Sequence, residues 1–444
     1  MTANEALPVL LDRAALHGAL ADPVFDSISF LNEIMDRYPR AISFAPGAPY
    51  AGFFDELDVA ACLRRYTDYL AETKGRTPAQ INKLLYQYGP ARGVINELIA
   101  EALRQDEQIS VAPESIVVTV GCQEALLLVL RALCAGSGDA LAVVNPCFAG
   151  IAGAARLLDM PMIAIDETAD GIDFAALEQA CRDARANGGN VRALYVAPDF
   201  SNPSGAILSL EARHRLLALA AQEDFLLLED NAYGFTAAPG SALPTLKALD
   251  RAQRVVYLGT CAKTCMPGVR VGFAVADQRI ALGNGKTGLL ADELATLKSM
   301  VTVNTSPICQ AIVGGMLLEH GGSIAALSHG KAALYRNNLA YLLDALERHL
   351  GGGNHPAITW NRPAGGFFVR VRIPAVADTS LLAYCAAEYG VLWTPMSFFH
   401  LGRAGDHELR LSCSYLDPQQ IEEGVKRLAR FLCDPRVLDG KAVQ

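Results

Sequence analysis

Between Ser115 and Val275 the chain alternates short, continuously apolar, β-branched runs with stretches of helical period, and few folds accept that rhythm. The expected strands are Ile116–Val120, Ala140–Asn145, Met162–Ile165, Ala193–Ala197, Phe225–Glu229, Val255–Gly259 and Val269–Val275. Helical stretches fall between most of them, at Gln123–Cys134, Ile151–Leu158, Phe174–Ala186 and Leu210–Gln222. A strand that is apolar on both faces needs cover on both. Seven such runs separated by helices therefore predict an α/β fold with a mostly parallel seven-stranded sheet between helical layers.

The last hundred residues change rhythm, with a long helix at Ala326–Leu350, strands near Phe367–Arg372 and Leu409–Ser412, and a closing helix at Gln420–Leu432. That pattern predicts a smaller α+β unit appended to the first. The Gly-rich break at 351–354 reads as a turn after the long helix.

Composition narrows the function classes. With 38 Lys and Arg against 47 Asp and Glu, the net charge of −9 gives no basic surface for nucleic acid, and none is expected as a partner. No apolar run approaches the length of a membrane span, and Met1–Leu20 has the wrong charge order for an export signal, so a cytoplasmic protein without a membrane partner is expected. The 11 cysteines are odd in number and scattered, without a Cys-x-x-Cys pair, and read as reduced core thiols; no metal site is expected. Neither a Gly-x-Ser-x-Gly elbow nor a His-Glu-x-x-His motif occurs.

In a parallel sheet, ligands sit beyond the carboxyl ends of the strands. One predicted strand runs into Ser201-Asn202-Pro203-Ser204-Gly205, another ends in Glu229-Asp230-Asn231-Ala232-Tyr233-Gly234, and a third leads to Thr260-Cys261-Ala262-Lys263. Successive units thus deliver an amide, a carboxylate, a phenol and an amine to one edge. Pyridoxal phosphate has the matching handles: an aldehyde for an amine, a ring nitrogen for an anion, a phenolic oxygen for donors, and a phosphate for a helix N-terminus and a cation.

Those three segments, with Arg270 seven residues after Lys263 in Lys263-Thr264-Cys265-Met266-Pro267-Gly268-Val269-Arg270, resemble the successive motifs of fold-type I aminotransferases of class I/II. The resemblance implies that Lys263 binds the cofactor aldehyde and moves the substrate proton, that Asp230 pairs with the ring nitrogen, and that Asn202 and Tyr233 reach the phenolic oxygen. It implies a phosphate cradle at Gly121, Cys122 and Gln123, where the turn after Val120 opens a helix, joined by Thr260 and Arg270. Cys122 and Ala262 stand where the family often has Ser, which predicts slightly weaker binding. Phe148 matches the aromatic that stacks on the ring. Arg410 matches the arginine that grips the substrate carboxylate, and Gly47, in Ile42-Ser43-Phe44-Ala45-Pro46-Gly47, matches the substrate lid. Tyr88 resembles a tyrosine that reaches the partner subunit's phosphate, implying a homodimer. The resemblance also implies an N-terminal arm and lid over 1–70 packing with the small domain, a large cofactor-binding domain over 71–325, and a small domain over 326–444.

The finer likeness is to the aminoadipate/kynurenine-type branch, and within it to the (S)-3,5-dihydroxyphenylglycine transaminases of nonribosomal peptide pathways. It rests on Phe30-Leu31-Asn32-Glu33, Ile42–Gly47, Val118–Ala125 and Lys298–Pro307. It implies transfer of an amino group from an amino acid, expected to be tyrosine, to an arylglyoxylate. Two other uses of such a scaffold stay open at this point: an oxidase, cyclase or lyase on the same cofactor, and a ligand-sensing regulator. The regulator needs a basic DNA-binding segment that Met1–Tyr50 does not offer. Phe398, Phe399 and Tyr415 are candidates for the side-chain pocket but read equally well as core.

Overall fold

A computed structural model describes residues 9–168, 171–351 and 357–438. The Gly-rich turn falls mostly outside them. All seven predicted strands of the large unit are present. After a short β1 (Ile42–Ser43) come β2 (Ile116–Val120), β3 (Asp139–Asn145), β4 (Met162–Asp166), β5 (Asn190–Val196), β6 (Leu226–Asp230), β7 (Val255–Thr260) and β8 (Val271–Val275). They form one sheet in the order β2-β8-β7-β6-β5-β3-β4, parallel except that β8 runs against both of its neighbours.

Most strand limits lie within a residue of expectation, β5 starts three residues early at Asn190, and two limits near the site have a local reason. Residues Pro267–Val269 form a 3-10 turn and Arg270 has φ 50°, so β8 starts at Val271 and not at Val269. The strand predicted to end at Ala197 stops at Val196, where the chain turns toward Asn202.

The sheet is buried on both faces. Leu141, Val143, Tyr195, Leu228 and Val256 pack on one side with the helices Gly121–Leu133 and Ala149–Leu157. Ala142, Leu194 and Leu227 face the helices Phe174–Ala186 and Leu210–Glu223. Toward β2 and β8 a further core takes in the helices Val59–Glu72, Asn96–Glu107 and Pro307–Glu319.

After an exposed hairpin of β9 (Arg279–Gly283) and β10 (Lys286–Leu289), a 27-residue helix, Ile324–Leu350, leads to the smaller unit. There β11 (Thr359–Trp360), β12 (Phe368–Arg372), β14 (Thr394–Pro395) and β15 (Glu408–Ser412) form an antiparallel sheet, ordered β11-β12-β15-β14, under the helix Pro418–Leu432. A separate β13 (Val391–Leu392) pairs in parallel with β1, and Ser412 N–H donates to Phe44 O at 2.7 Å. The segment after β1 is thereby threaded through the smaller unit toward the large sheet.

Topology then fixes the place of the site. β2 and β3 to β7 all run the same way, so their carboxyl ends share one edge, and antiparallel β8 begins there, directly after Arg270. No two cysteines of the described residues form a disulfide, and seven of the 11 are buried. Among the described residues no single helix is long and apolar enough to cross a membrane.

Candidate active site

The lysine and carboxylate of this edge are delivered by the ends of large-sheet strands. Lys263 lies in the turn after β7, which Cys265 N–H closes by donating to Cys261 O at 2.9 Å. Its Nζ donates to the carbonyl of Gly47 at 2.6 Å. Burial, reinforced by the Arg410 and Arg270 cations and opposed by Asp230, lowers the Lys263 pKa to about 8. An amine held that low is partly neutral near pH 7, as a nucleophile and proton carrier must be.

Asp230 ends β6 and is 8% exposed. One carboxylate oxygen accepts from the Tyr195 hydroxyl at 2.6 Å, while Oδ1 is buried without a partner among the described residues. Burial raises the Asp230 pKa to about 6, against the bond from Tyr195 and the charge of Lys263, which pull it down. Tyr195 is a residue that the sequence motifs do not single out. It sits on β5, opposite Leu228 of β6, and strand alternation puts Leu228 and Asp230 on the same face.

Arg410, on β15, is 3% exposed. It donates to Asn202 Oδ1 at 2.6 Å, to Ala45 O at 2.6 Å and to Thr394 Oγ1 at 3.3 Å. The rings of Phe368 and Phe399 cover it, with their centroids 4.3 and 4.6 Å from the guanidinium carbon. No carboxylate of the described residues pairs with it, and its Nε is unpartnered. Burial lowers its pKa to about 9, with Tyr233 opposing. A buried guanidinium without a counter-ion is a receptor for an anion from outside the chain.

The Asn202 amide, accepting from Arg410 at its oxygen, also bonds the Tyr233 hydroxyl. Tyr233 packs edge-on against Phe367 and Phe368. Burial first of all pushes its pKa up. Gly47 lies where a Cβ would come 2.8 Å from Phe368 Cζ and 3.8 Å from Tyr233 Oη, so only glycine fits without displacement.

On the other side of the edge, the helix Gly121–Leu133 begins at a residue with φ 71°, and Val120 supplies no capping side chain. A Cβ on Gly121 would meet Arg270 Nη2 at 2.3 Å, so the guanidinium lies directly on the first turn. Cys122 senses both Asp230 and Arg270, although burial is the main cause of its raised pKa. Gln123 is anchored by its amide donating to Gly150 O at 2.7 Å. Phe148 precedes the helix Ala149–Leu157, and its ring edge crowds Gly150. Thr260 Oγ1 accepts from Ala262 N–H at 3.1 Å and is half-buried. Bare backbone donors, a helix N-terminus and a guanidinium form an anion cradle.

One candidate stands apart. Tyr88 is 87% exposed and does not join the site of its own chain. Of the three pocket candidates, Phe399 stacks on Arg410 and Phe398 lies edge-on to Phe30 at 5.5 Å, while Tyr415 packs at the margin of the smaller unit's core. Among the described residues no group of His, Cys, Asp or Glu is arranged to hold a metal.

The residues present fit pyridoxal phosphate on the structure's own terms. The unpartnered Asp230 oxygen suits a protonated ring nitrogen, the low-pKa amine suits an aldehyde, and the cradle suits a phosphate. Comparison with known proteins agrees. The model of the aminotransferase class I and II family matches residues 67–428. The chain is 47% identical over 426 residues to an (S)-3,5-dihydroxyphenylglycine transaminase of Amycolatopsis orientalis, covering 96% of this chain and 95% of that one. Its structure resembles that of an archaeal alanine:glyoxylate aminotransferase (TM-score 0.80, 27% identity, covering 96% of this chain and 100% of the other). It also resembles the α-aminoadipate aminotransferase of Thermus thermophilus in complex with N-(5′-phosphopyridoxyl)-L-leucine (TM-score 0.75, 27% identity, covering 94% and 97%).

Proposed function

This chain belongs to the class I and II aminotransferases and is a pyridoxal phosphate-dependent transaminase, and from that premise we propose that it moves the amino group of tyrosine to an arylglyoxylate such as 3,5-dihydroxyphenylglyoxylate. The product is an arylglycine that is not among the coded residues, which assigns the enzyme to the biosynthesis of a non-proteinogenic amino acid, of the kind used in peptide antibiotics. The finer substrate choice is supported by the 47% identity to an (S)-3,5-dihydroxyphenylglycine transaminase.

When bound, pyridoxal phosphate supplies an aldehyde that takes an amine and a cationic ring that accepts the electrons released at the substrate's Cα. Asp230 holds the proton on the ring nitrogen, and Tyr195 keeps that carboxylate ionised and oriented. Lys263 Nζ would hold the aldehyde between turnovers and would carry the proton from the substrate's Cα. Asn202 and Tyr233 donate to the phenolic oxygen. Gly121, Cys122, Gln123, Thr260 and Arg270 would hold the phosphate, and Phe148 would supply an aromatic face for the ring. Arg410 takes the substrate carboxylate in its fork, which orients the Cα–H bond toward Lys263, and the segment carrying Gly47 closes over both.

The observation that carries this reading is the buried, unpartnered Asp230 oxygen sharing an edge with a lysine whose pKa is about 8. Absorption spectra of the purified protein test it. A visible cofactor band that bleaches on adding tyrosine and returns with an arylglyoxylate is expected. A band that bleaches only with oxygen uptake, or a protein that takes up no cofactor, overturns it.

The working unit is proposed to be a cytoplasmic homodimer. Tyr86 (68% exposed), Tyr88 (87%), Met300 (84%) and Ile308 (41%) leave an apolar surface open. These segments adjoin, since a Cβ on Gly89 would lie 3.6 Å from both Asn304 and Pro307. A second copy covering that surface carries Tyr88 to the neighbouring phosphate cradle. The division into arm, large and small domains is kept as a proposal with one amendment: the helix Val59–Glu72 buries Cys62, Tyr66 and Leu70 in the large unit's core.

A further inference from the structure

The helix that opens the phosphate cradle carries a carboxylate in its first turn, where an anion site is best left without one. Glu124 Oε2 accepts from Val120 N–H at 2.6 Å and so ties the residue before the helix to its first turn, leaving the N–H groups of that turn without a capping side chain. The same oxygen accepts from Lys298 Nζ at 2.6 Å. Thr302 closes the group, accepting from Lys298 Nζ at 2.8 Å and donating to Glu124 Oε1 at 2.6 Å. The Lys298 side chain is 0% exposed and that of Glu124 6%, so solvent does little to screen either charge. Burial lowers the Lys298 pKa, against the bond and charge of Glu124 that raise it.

An acidic side chain stabilises a bare helix N-terminus, but the same charge opposes a phosphate placed there. Turn geometry and anion binding therefore make opposite demands on Glu124. We propose that Lys298, with Thr302, is a positioning residue of the phosphate site: it neutralises Glu124 so that the carboxylate fixes the Val120–Gly121 turn without repelling the cofactor's phosphate. The inference rests on the assignment of the cradle to the phosphate. It adds residues that do not touch the cofactor and come from a helix, Leu290–Val301, and its C-cap, whose sequence shows no phosphate motif.

The test is the ratio of affinities for pyridoxal phosphate and for pyridoxal, which lacks the phosphate, measured by titrating the full-length chain after cofactor removal. Lys298→Met leaves a net negative charge under the cradle and is expected to lower the ratio about tenfold, since unit charges in partly buried protein interact by amounts of that order. Glu124→Gln leaves a net positive charge and is expected to raise the ratio several-fold, and the double variant is expected to return near the wild-type value. A merely structural pair gives losses of one sign for both ligands, with the ratio unmoved, and that result overturns the proposal. Should Lys298→Met fail to fold, Glu124→Gln and the double variant still decide, because only the electrostatic account predicts a gain. Arg270→Ala separates the two levels. If it collapses the ratio while the Glu124 and Lys298 variants do not move it, this inference fails alone; if it too leaves the ratio unchanged, the cradle is not the phosphate site and both fail.

Discussion

Arg410 has a buried charge and no acidic partner among the described residues, which makes it the residue whose replacement is easiest to interpret. Arg410→Gln keeps a donor for Ala45 O but loses the fork, and loss of one partner of a buried charge pair costs about 2–5 kcal/mol. The KM for amino acid substrates is expected to rise by about two orders of magnitude in steady-state kinetics, while cofactor affinity stays near wild type. Lys263→Ala is expected to abolish turnover; borohydride reduction followed by peptide mass analysis should fix the cofactor on the Lys263 peptide of the wild type and on no peptide of the variant. The pH dependence follows from the two shifted groups. Lys263 must lose its proton to bond the aldehyde, so the rate of covalent reconstitution rises as pH increases through about 8. Asp230 must be ionised to hold the ring nitrogen, so cofactor affinity falls as pH drops through about 6. Tyr195→Phe removes the bond that lowers the Asp230 pKa, and the acid limb of the affinity profile should move upward; an unmoved limb detaches Tyr195 from the site. Lys263 and Asp230 are legible in the sequence because each is a polar residue just after an apolar run, whereas Arg410, inside an alternating strand, is expected from the family likeness alone. Tyr195 is not legible, because an aromatic inside a strand looks like any core residue until the neighbouring strand's register is known.

The segment after β1 is held by the smaller unit but ends against the larger one. Ala45 O accepts from Arg410 and Gly47 O from Lys263, so two backbone carbonyls occupy the two cations. A side chain at residue 47 strikes Phe368. Gly47→Ala is therefore expected to lower kcat/KM about tenfold while leaving the thermal midpoint little changed, and paired kinetics and calorimetry check both halves. A fall in the midpoint with unaltered kinetics would make Gly47 a packing residue only. The seven large-sheet strands are readable because strands covered on both faces write continuous apolar runs. The exposed hairpin of β9 and β10 writes no such run, and the apolar pattern does not reveal it. Where β8 begins is set by the left-handed Arg270, and nothing in the sequence at that position announces a positive φ. The Gly47 segment is expected over the substrate from likeness alone; its threading between β13 and β15 depends on pairings over more than 300 residues that no local pattern records.

At the scale of the molecule, the 47.4 kDa chain places its amine and carboxylate at one edge because every strand of the large sheet except β8 ends there, and β15 of the smaller sheet brings the Arg410 guanidinium to Asn202 at that edge. A homodimer is expected to elute with about twice the chain mass in light scattering. Tyr88→Ala should loosen cofactor binding without altering the isolated fold, and a monomeric, fully active enzyme would refute the shared site. The account stands or falls on transfer of nitrogen from one aromatic amino acid to the keto form of another. The most direct measurement supplies tyrosine labelled with heavy nitrogen together with 3,5-dihydroxyphenylglyoxylate and follows the label by mass spectrometry. The account predicts that the label appears in the arylglycine, with hydroxyphenylpyruvate formed in equal amount. Label released as free ammonia, with no arylglycine made, would contradict it.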